Sequence, residues 1–170
     1  MLNFLFRRLT ADPDRGAPLF AAITAEARKP HWFVEGKVPD TLDGRFAVLA
    51  TVAALVVVRL EQAGDAGESL SVALAERFVE VMESEHRELG IGDPTLGRKV
   101  RKLVGSLSWR VDLWRRITKG EPRWVEAVDY SIYKGAVASA ALTHSAGALR
   151  KLWARLERCE INNLAEGKLE

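Results

Sequence analysis

The stretch Phe46-Ala47-Val48-Leu49-Ala50-Thr51-Val52-Ala53-Ala54-Leu55-Val56-Val57-Val58 decides the fold, because it places thirteen residues without a charge between Arg45 and Arg59. A helix of this length covers roughly 20 Å, whereas the hydrocarbon core of a bilayer is about 30 Å thick. The run is too short to span a membrane and too apolar for a surface helix. We predict that it forms the central buried helix of a bundle, over about residues 41–62.

The residues on either side of the run predict where this helix begins and ends. It follows Val38-Pro39-Asp40-Thr41-Leu42-Asp43-Gly44, in which Asp40 or Thr41 can cap the helix. Asp43 falls in the first turn, where a carboxylate is favoured by the helix dipole. Gly64 and Gly67 are expected to end the helix. Ser69 is then the candidate N-cap of a third helix that runs to Leu89.

The rest of the chain has the same helical punctuation and no alternating strand pattern. Further helices are predicted from Pro18 to about Arg28, from Pro94 to about Lys119, from Pro122 to about Tyr133, and from about Ala138 towards Leu164. We therefore predict an all-α bundle of about six to seven helices. It should form one domain over residues 1–170, with residues 1–16 either flexible or in contact with a membrane.

The composition predicts a cytoplasmic protein and leaves peripheral contact with a membrane open. Cys159 is the single cysteine of 170 residues, which excludes an internal disulfide and fits a reducing compartment. The charges of the N-terminus follow a very short apolar stretch, the reverse of a secretory signal. That segment fits either an interfacial membrane helix or a turn docked on the bundle through Leu2, Phe4, Leu5, Phe6 and Leu9, with Arg7 and Arg8 beside them.

Catalytic and metal-binding patterns are weak in this sequence. Glu83-Ser84-Glu85-His86 contains Glu-x-x-His, but a di-iron site in a bundle needs a second such motif, and neither His31 nor His144 has an acid three residues before it. We interpret the stretch as a solvated acidic helix face. No Gly-x-Ser-x-Gly or phosphate-binding loop occurs. We therefore expect no enzyme activity, no cofactor and no metal.

The fourth predicted helix has the clearest candidate for an interaction surface. Its core side is a regular apolar stripe: Leu96, Val100, Leu103, Val104, Leu107, Val111, Trp114 and Ile117. Basic residues lie away from this stripe, and at 100° per residue Trp109 falls among them, with Leu113 nearby. We predict a basic docking face that consists of Arg98, Lys99, Arg101, Lys102 and Arg116.

Four apolar side chains are candidates for contact with a partner or client. A tryptophan among cations suits phosphate, lipid headgroups or an acidic partner. The alternative is that Trp109 and Leu113 pack under the C-terminal helix while the cations extend outwards. Trp32 and Phe33 likewise fit either a client groove or an aromatic closure of the bundle.

Two blocks of sequence resemble the ubiquinol–cytochrome c chaperone family, of which the chain looks like a bacterial-type member. The first block runs from Val38 to Phe46 and includes Pro39, Asp40, Asp43, Gly44 and Arg45. The second runs from Arg87 to Asp93, with Gly90 and Gly92, and continues from Leu96 to Lys102. The similarity covers roughly residues 30–155. The chain departs from the family where Val52 and Val58 replace a common histidine and arginine, and where Ser108-Trp109 replaces Tyr-Gly.

The resemblance implies a binding protein without turnover that assists assembly of the cytochrome bc1 complex of the respiratory chain. Such chaperones hold newly made cytochrome b together with a small partner protein, near the ribosomal exit. By this resemblance the client is cytochrome b or a similar inner-membrane subunit, and the basic face docks to ribosomal RNA or to an anionic membrane surface. The alternative is a ribosome- or RNA-binding helical adaptor without a membrane-protein client.

Overall fold

The fold was obtained as a computed structural model, which describes residues 16–88, 90, 93–121, 123–135 and 137–169. These residues form seven α-helices and no strand: α1 (Ala17–Ala27), α2 (Leu42–Gln62), α3 (Asp65–Glu88), α4 (Asp93–Ile117), α5 (Trp124–Val128), α6 (Ser139–Arg158) and α7 (Ile161–Ala165). The predicted all-α fold is confirmed. The expectation for residues 1–16 falls, apart from Gly16, outside the described residues.

Helix α2 is the central helix, as the apolar run predicts. Val48, Val52, Leu55 and Val58 are at most 1% exposed, and α2 packs against α1, α3, α4 and α6. Full burial of a valine or leucine side chain contributes about 1.5 to 3 kcal/mol, so this helix supplies much of the apolar stabilisation. In the part of the chain that the structure describes, no helix meets the length and apolarity that crossing a bilayer requires.

The start of α2 follows the cap that the sequence predicts. Thr41 is the N-cap, and its hydroxyl accepts a hydrogen bond from the backbone N–H of Gly44 at 3.2 Å. Asp43 lies in the first turn, and Asp40 instead pairs with Arg45 at 2.6 Å on the surface. Of the two candidate caps, Thr41 is therefore the one that satisfies a free helical N–H.

Helix α3 begins earlier than the sequence predicts. We expected Gly67 to end α2 and Ser69 to cap α3, but Gly64, at φ +60°, makes the turn and α3 already begins at Asp65. Gly67 lies inside α3 because the two helices meet there: a Cβ atom on Gly67 would stand 2.0 Å from the backbone oxygen of Leu60. The glycine serves a close helix contact rather than a helix end.

The C-terminal region also differs from the prediction of one long helix. Helix α6 ends at Arg158, Cys159 is extended, and α7 begins at Ile161. Arg59 of α2 donates hydrogen bonds to the backbone oxygens of Leu156 and Cys159, at 2.8 and 2.9 Å. These bonds satisfy carbonyl groups that a helix end leaves free, which allows the chain to turn at Cys159.

The region before α6 is likewise interrupted. A continuous helix was expected from Pro122 to about Tyr133, but the structure has the short helix α5 followed by a π-helical turn, Asp129–Tyr133. Lys134, in the left-handed conformation, ends that turn, and its N–H bonds the backbone oxygen of Asp129. The wider turn brings Ser131 into the buried interior beside α2, where its backbone oxygen accepts a hydrogen bond from Arg110 of α4.

Candidate interaction surface

Helix α4 presents the predicted basic face to solvent. Its core stripe is turned inward, with Leu96, Val100 and Trp114 at most 6% exposed. All five predicted docking residues are exposed, and none of them forms an ion pair with another side chain in the described ranges: Arg98, Lys99, Arg101, Lys102 and Arg116. Unneutralised cations on one helix face attract anionic surfaces and polyanions.

Trp109 forms an aromatic pair at the edge of this face. Its ring centroid lies 4.9 Å from that of Tyr130, which is 62% exposed, and the Arg110 guanidinium carbon lies 5.0 Å from the same indole. Trp109 itself is half-buried, and Leu113 is half-buried against the core. The geometry thus falls between the two alternatives: packing holds the indole in place, and its partner Tyr130 is open to solvent. Partner contact through Trp109 and Leu113 stays a prediction.

Arg110 is the residue whose role the sequence reasoning missed. It is buried, and its guanidinium donates to the Thr51 hydroxyl, to the backbone and hydroxyl oxygens of Ser106, and to the backbone oxygen of Ser131. Burial lowers the pKa of Arg110 to about 10, which leaves it charged at neutral pH. The helical wheel contained the signal, since Arg110 lies about 80° from Val100, beside the apolar stripe rather than opposite to it.

The segment between α1 and α2, residues 28–41, does not offer Trp32 to a client. Its side chain is fully buried, and its indole N–H donates to the backbone oxygen of Glu26 at 2.9 Å. Phe33 is half-buried against the core. The burial of Trp32 corrects the prediction that it lines a client groove, because the indole is enclosed in the core and has no surface open to a client. Phe33 keeps a partly accessible ring.

Polar residues far apart in sequence meet where the segment between α1 and α2 contacts α6. His31 Nδ1 lies 3.1 Å from His144 Nε2, and the Tyr133 hydroxyl bonds both the backbone oxygen of Gly36 and the Ser145 hydroxyl. Burial, and then the proximity of His144, lower the pKa of His31. Burial raises the pKa of Tyr133. The two histidines lie 113 positions apart and no sequence pattern connects them, so only the fold brings them into contact.

The Glu-x-x-His segment of α3 does not assemble a metal site in the described residues. His86 Nδ1 bonds the backbone oxygen of Met82, one turn earlier, at 2.8 Å. No group of three or more histidine, cysteine or carboxylate side chains placed to hold a metal ion occurs within the ranges given above.

The blocks that carry the family resemblance form helix starts and turns. A Cβ atom on Gly44 would stand 2.0 Å from the backbone oxygen of Pro39, so that glycine permits the close approach of the turn to α2. Gly90 has φ +77° and precedes α4, which begins at Asp93; Gly92 lies outside the described residues. The exposed pair of Asp40 and Arg45 contributes little, as surface ion pairs generally do.

Comparisons with known proteins give two findings. The family model described as ubiquinol-cytochrome C chaperone matches residues 34–170. A solved structure described as the crystal structure of the Cbp3 homolog from Brucella abortus is similar in fold, with a TM-score of 0.74 and 25% sequence identity over 98% of this chain and 94% of that chain. A search of curated proteins found no match.

Proposed function

The chain belongs to the ubiquinol-cytochrome C chaperone family, and from this premise we propose that it binds newly made cytochrome b, or a similar inner-membrane respiratory subunit, without catalytic turnover. The observation that carries the proposal is the family match over residues 34–170, most of the chain. The family gives the chain a chaperone role. Its client, its docking site and its location are the parts that we propose.

The exposed cations of α4 support a docking role in this function. The basic docking face consists of exposed side chains that point away from the buried stripe, so it can meet a polyanionic surface without disturbing the core: Arg98, Lys99, Arg101, Lys102 and Arg116. Ribosomal RNA and an anionic membrane both present phosphate to such a face. We propose that docking places the chaperone at the inner membrane beside the emerging client.

Accessible apolar side chains support client contact. Tyr130 and Val34 are more than half exposed, and Phe33, Trp109 and Leu113 are partly accessible. We propose Phe33, Trp109 and Leu113 as client contacts, with Tyr130 as an addition that the structure suggests. Aromatic side chains of this kind bury large apolar areas at interfaces while their polar atoms stay hydrated. A small partner protein could share the same surface.

Affinity purification from cell membranes tests the proposal. We expect the tagged chain to co-purify cytochrome b in mild detergent, and the double variant Trp109→Ala/Tyr130→Ala to lose it. The matched control is Trp124→Ala, whose side chain is buried and therefore contacts no client. If the wild-type eluate contains no cytochrome b or related respiratory subunit, the proposed client is wrong.

The runner-up function is a ribosome- or RNA-binding adaptor that has no membrane-protein client. The unpaired cations of α4 favour it, since phosphate contacts alone can supply such binding. Binding of RNA and of anionic vesicles, measured over a salt series, separates the two docking surfaces. Co-purified ribosomes without cytochrome b, lost on Lys99→Glu/Lys102→Glu/Arg116→Glu, would support the adaptor.

A further inference from the structure

A long groove runs between α3 and α4 on the side of α4 that adjoins the basic docking face. Its cavity volume is about 930 Å³, and residues of α3 from Asp65 to Glu83 form one wall. At about 1.5 Å per residue this wall is about 27 Å long, or about five helical turns. Val57 of α2 lies at the base, and Val104 of α4 forms part of the opposite wall.

The floor of this α3–α4 groove is apolar and partly open to solvent. Val72, Ala75 and Val79 follow one another along α3 at spacings of three and four residues, so they form one stripe. None of them is fully buried, and the same holds for Val57 and Val104. The stripe spans about two helical turns at the middle of the wall, and with Val57 and Val104 it gives the groove an apolar floor on which a partner helix can pack.

The rim of the groove is strongly acidic. Seven carboxylate residues line the groove against a single cation, Arg115, which is already paired with Glu61 and Asp112. Asp65, Glu68 and Glu83 form no ion pair with any described residue. This sign is opposite to that of the basic docking face on α4.

Glu76 indicates, independently of the charge of the rim, that the groove lacks a hydrogen-bond donor. Its Oε1 atom is screened from solvent and has no hydrogen-bond partner among the described residues. A buried carboxylate oxygen without a donor costs free energy, and a cation brought by a ligand would satisfy it. The apolar floor and the acidic rim together therefore define the chemistry of the occupant.

We propose that the α3–α4 groove binds a cationic amphipathic helix of a partner protein. The apolar side of that helix would cover Val72, Ala75 and Val79, and its lysine or arginine side chains would meet the acidic rim. Charge complementarity argues for this occupant. The acidic rim would repel an acidic helix, and a neutral helix would leave the rim carboxylates without a cation. The proposal goes beyond the proposed function, since it holds whichever client the chaperone serves.

Peptide binding to the full chain tests the proposal directly. The probe is a labelled amphipathic peptide of about 18 residues, the length that matches the α3 wall, with leucine at i, i+3, i+4 and i+7 and lysine at the flanking positions. A control peptide keeps the leucines and carries glutamate instead. By fluorescence anisotropy at low salt we expect the lysine peptide to bind at least about tenfold more tightly. Equal affinity of the two peptides, or no binding of either, would overturn the proposal.

Variants of the chain locate the binding site. Ala75→Trp should fill the groove and abolish binding, and Glu68→Lys/Glu83→Lys should weaken it about tenfold. The matched control is Glu85→Lys/Glu88→Lys, which makes the same change of charge on exposed residues of α3 outside the groove. If the control weakens binding as much as the groove variant, the affinity depends on the net charge of the chain and the groove is not the binding site.

Sedimentation of the chain without peptide tests the other occupant, a second copy of this chain. We expect a sedimentation coefficient that Ala75→Trp does not change. A dimer that dissociates in Ala75→Trp would overturn the partner proposal, because a second copy of the chain would then be the groove's occupant. Circular dichroism of each variant shows whether it is folded, and a groove variant that unfolds is replaced by Val72→Lys in the same assay.

Discussion

Arg110 Nε lies 3.3 Å from the hydroxyl oxygen of Thr51, the one polar side chain in the apolar run of α2. Thr51 in turn donates to the backbone oxygen of Ala47 at 2.7 Å. The other guanidinium nitrogens bond Ser106 of α4 and the π-helical turn at Ser131. One buried cation therefore joins α2, α4 and the segment before α6, and its bonds go to hydroxyl and backbone oxygens rather than to a carboxylate.

Removal of the Arg110 side chain should destabilise the protein strongly. Arg110→Ala leaves the oxygens of Thr51 and Ser131 without their donor and opens a cavity, so we expect a loss of about 2 to 4 kcal/mol in the free energy of unfolding. Arg110→Met should cost less, because both variants lose the charge and the same donors but methionine keeps most of the side-chain volume and leaves a smaller cavity. Urea denaturation measures both. Equal losses would show that packing does not govern this site.

Removal of the α2 cap at Thr41 should lower the stability of the protein, whereas removal of Ser69, the cap predicted for α3, should not. Thr41→Ala removes the hydroxyl that accepts from Gly44, and we expect a loss of about 0.5 to 2 kcal/mol. Ser69→Ala should change stability by less than about 0.5 kcal/mol, since Ser69 is exposed inside α3. Thermal unfolding of both variants checks this, and a larger effect of Ser69→Ala would place the start of α3 at Ser69.

Two helical glycines should give opposite results when they are replaced by alanine. Gly105 of α4 is exposed with no atom near its added Cβ, so Gly105→Ala should stabilise the protein by about 0.5 to 1 kcal/mol. Gly67→Ala should destabilise it, because its Cβ would meet the backbone oxygen of Leu60 at 2.0 Å. Chemical denaturation of the pair measures the difference. A stabilising effect of Gly67→Ala would mean that the backbone of Leu60 lies farther from Gly67 than this contact requires.

Protonation of His31 should lower the stability of the protein in mild acid. Burial, and secondly His144, lower its pKa in the folded state, whereas Glu26 and Glu35 raise it and Lys29 lowers it. The stability that neutral His31 contributes is therefore complete above the ordinary pKa of about 6.5 and is lost as the pH falls through the folded-state pKa.

Melting temperatures at pH 7 and pH 5 test this dependence. We expect His31→Gln to show a smaller decrease between the two pH values than the wild type. His86→Gln is the control, since His86 bonds a backbone oxygen of its own helix. If His31→Gln shows the same decrease as the wild type, protonation of His31 does not control acid stability.

Much of the fold could be predicted because local rules determine it. The length of the apolar run, the cap at Thr41 and the stripe from Leu96 to Ile117 indicate helices and their buried faces without knowledge of their neighbours. The basic docking face follows from the same wheel, since its members lie about 100° or more from Val100. Two of the errors fall where a contact with another helix changes a local preference: Leu60 of α2 lies against Gly67, and Arg59 of α2 bonds the end of α6 at Cys159.

The sequence by itself determined the central helix, the all-α class and the family resemblance, because charge-free length, capping residues and motif spacing are read along the chain. Only the tertiary structure decided that Trp32 is buried, that Arg110 joins three segments and that His31 meets His144. It alone also formed the α3–α4 groove, whose acidic rim gathers side chains from three helices. These features depend on atoms from distant parts of the chain coming within a few ångströms of each other, and no pattern along the chain encodes that distance.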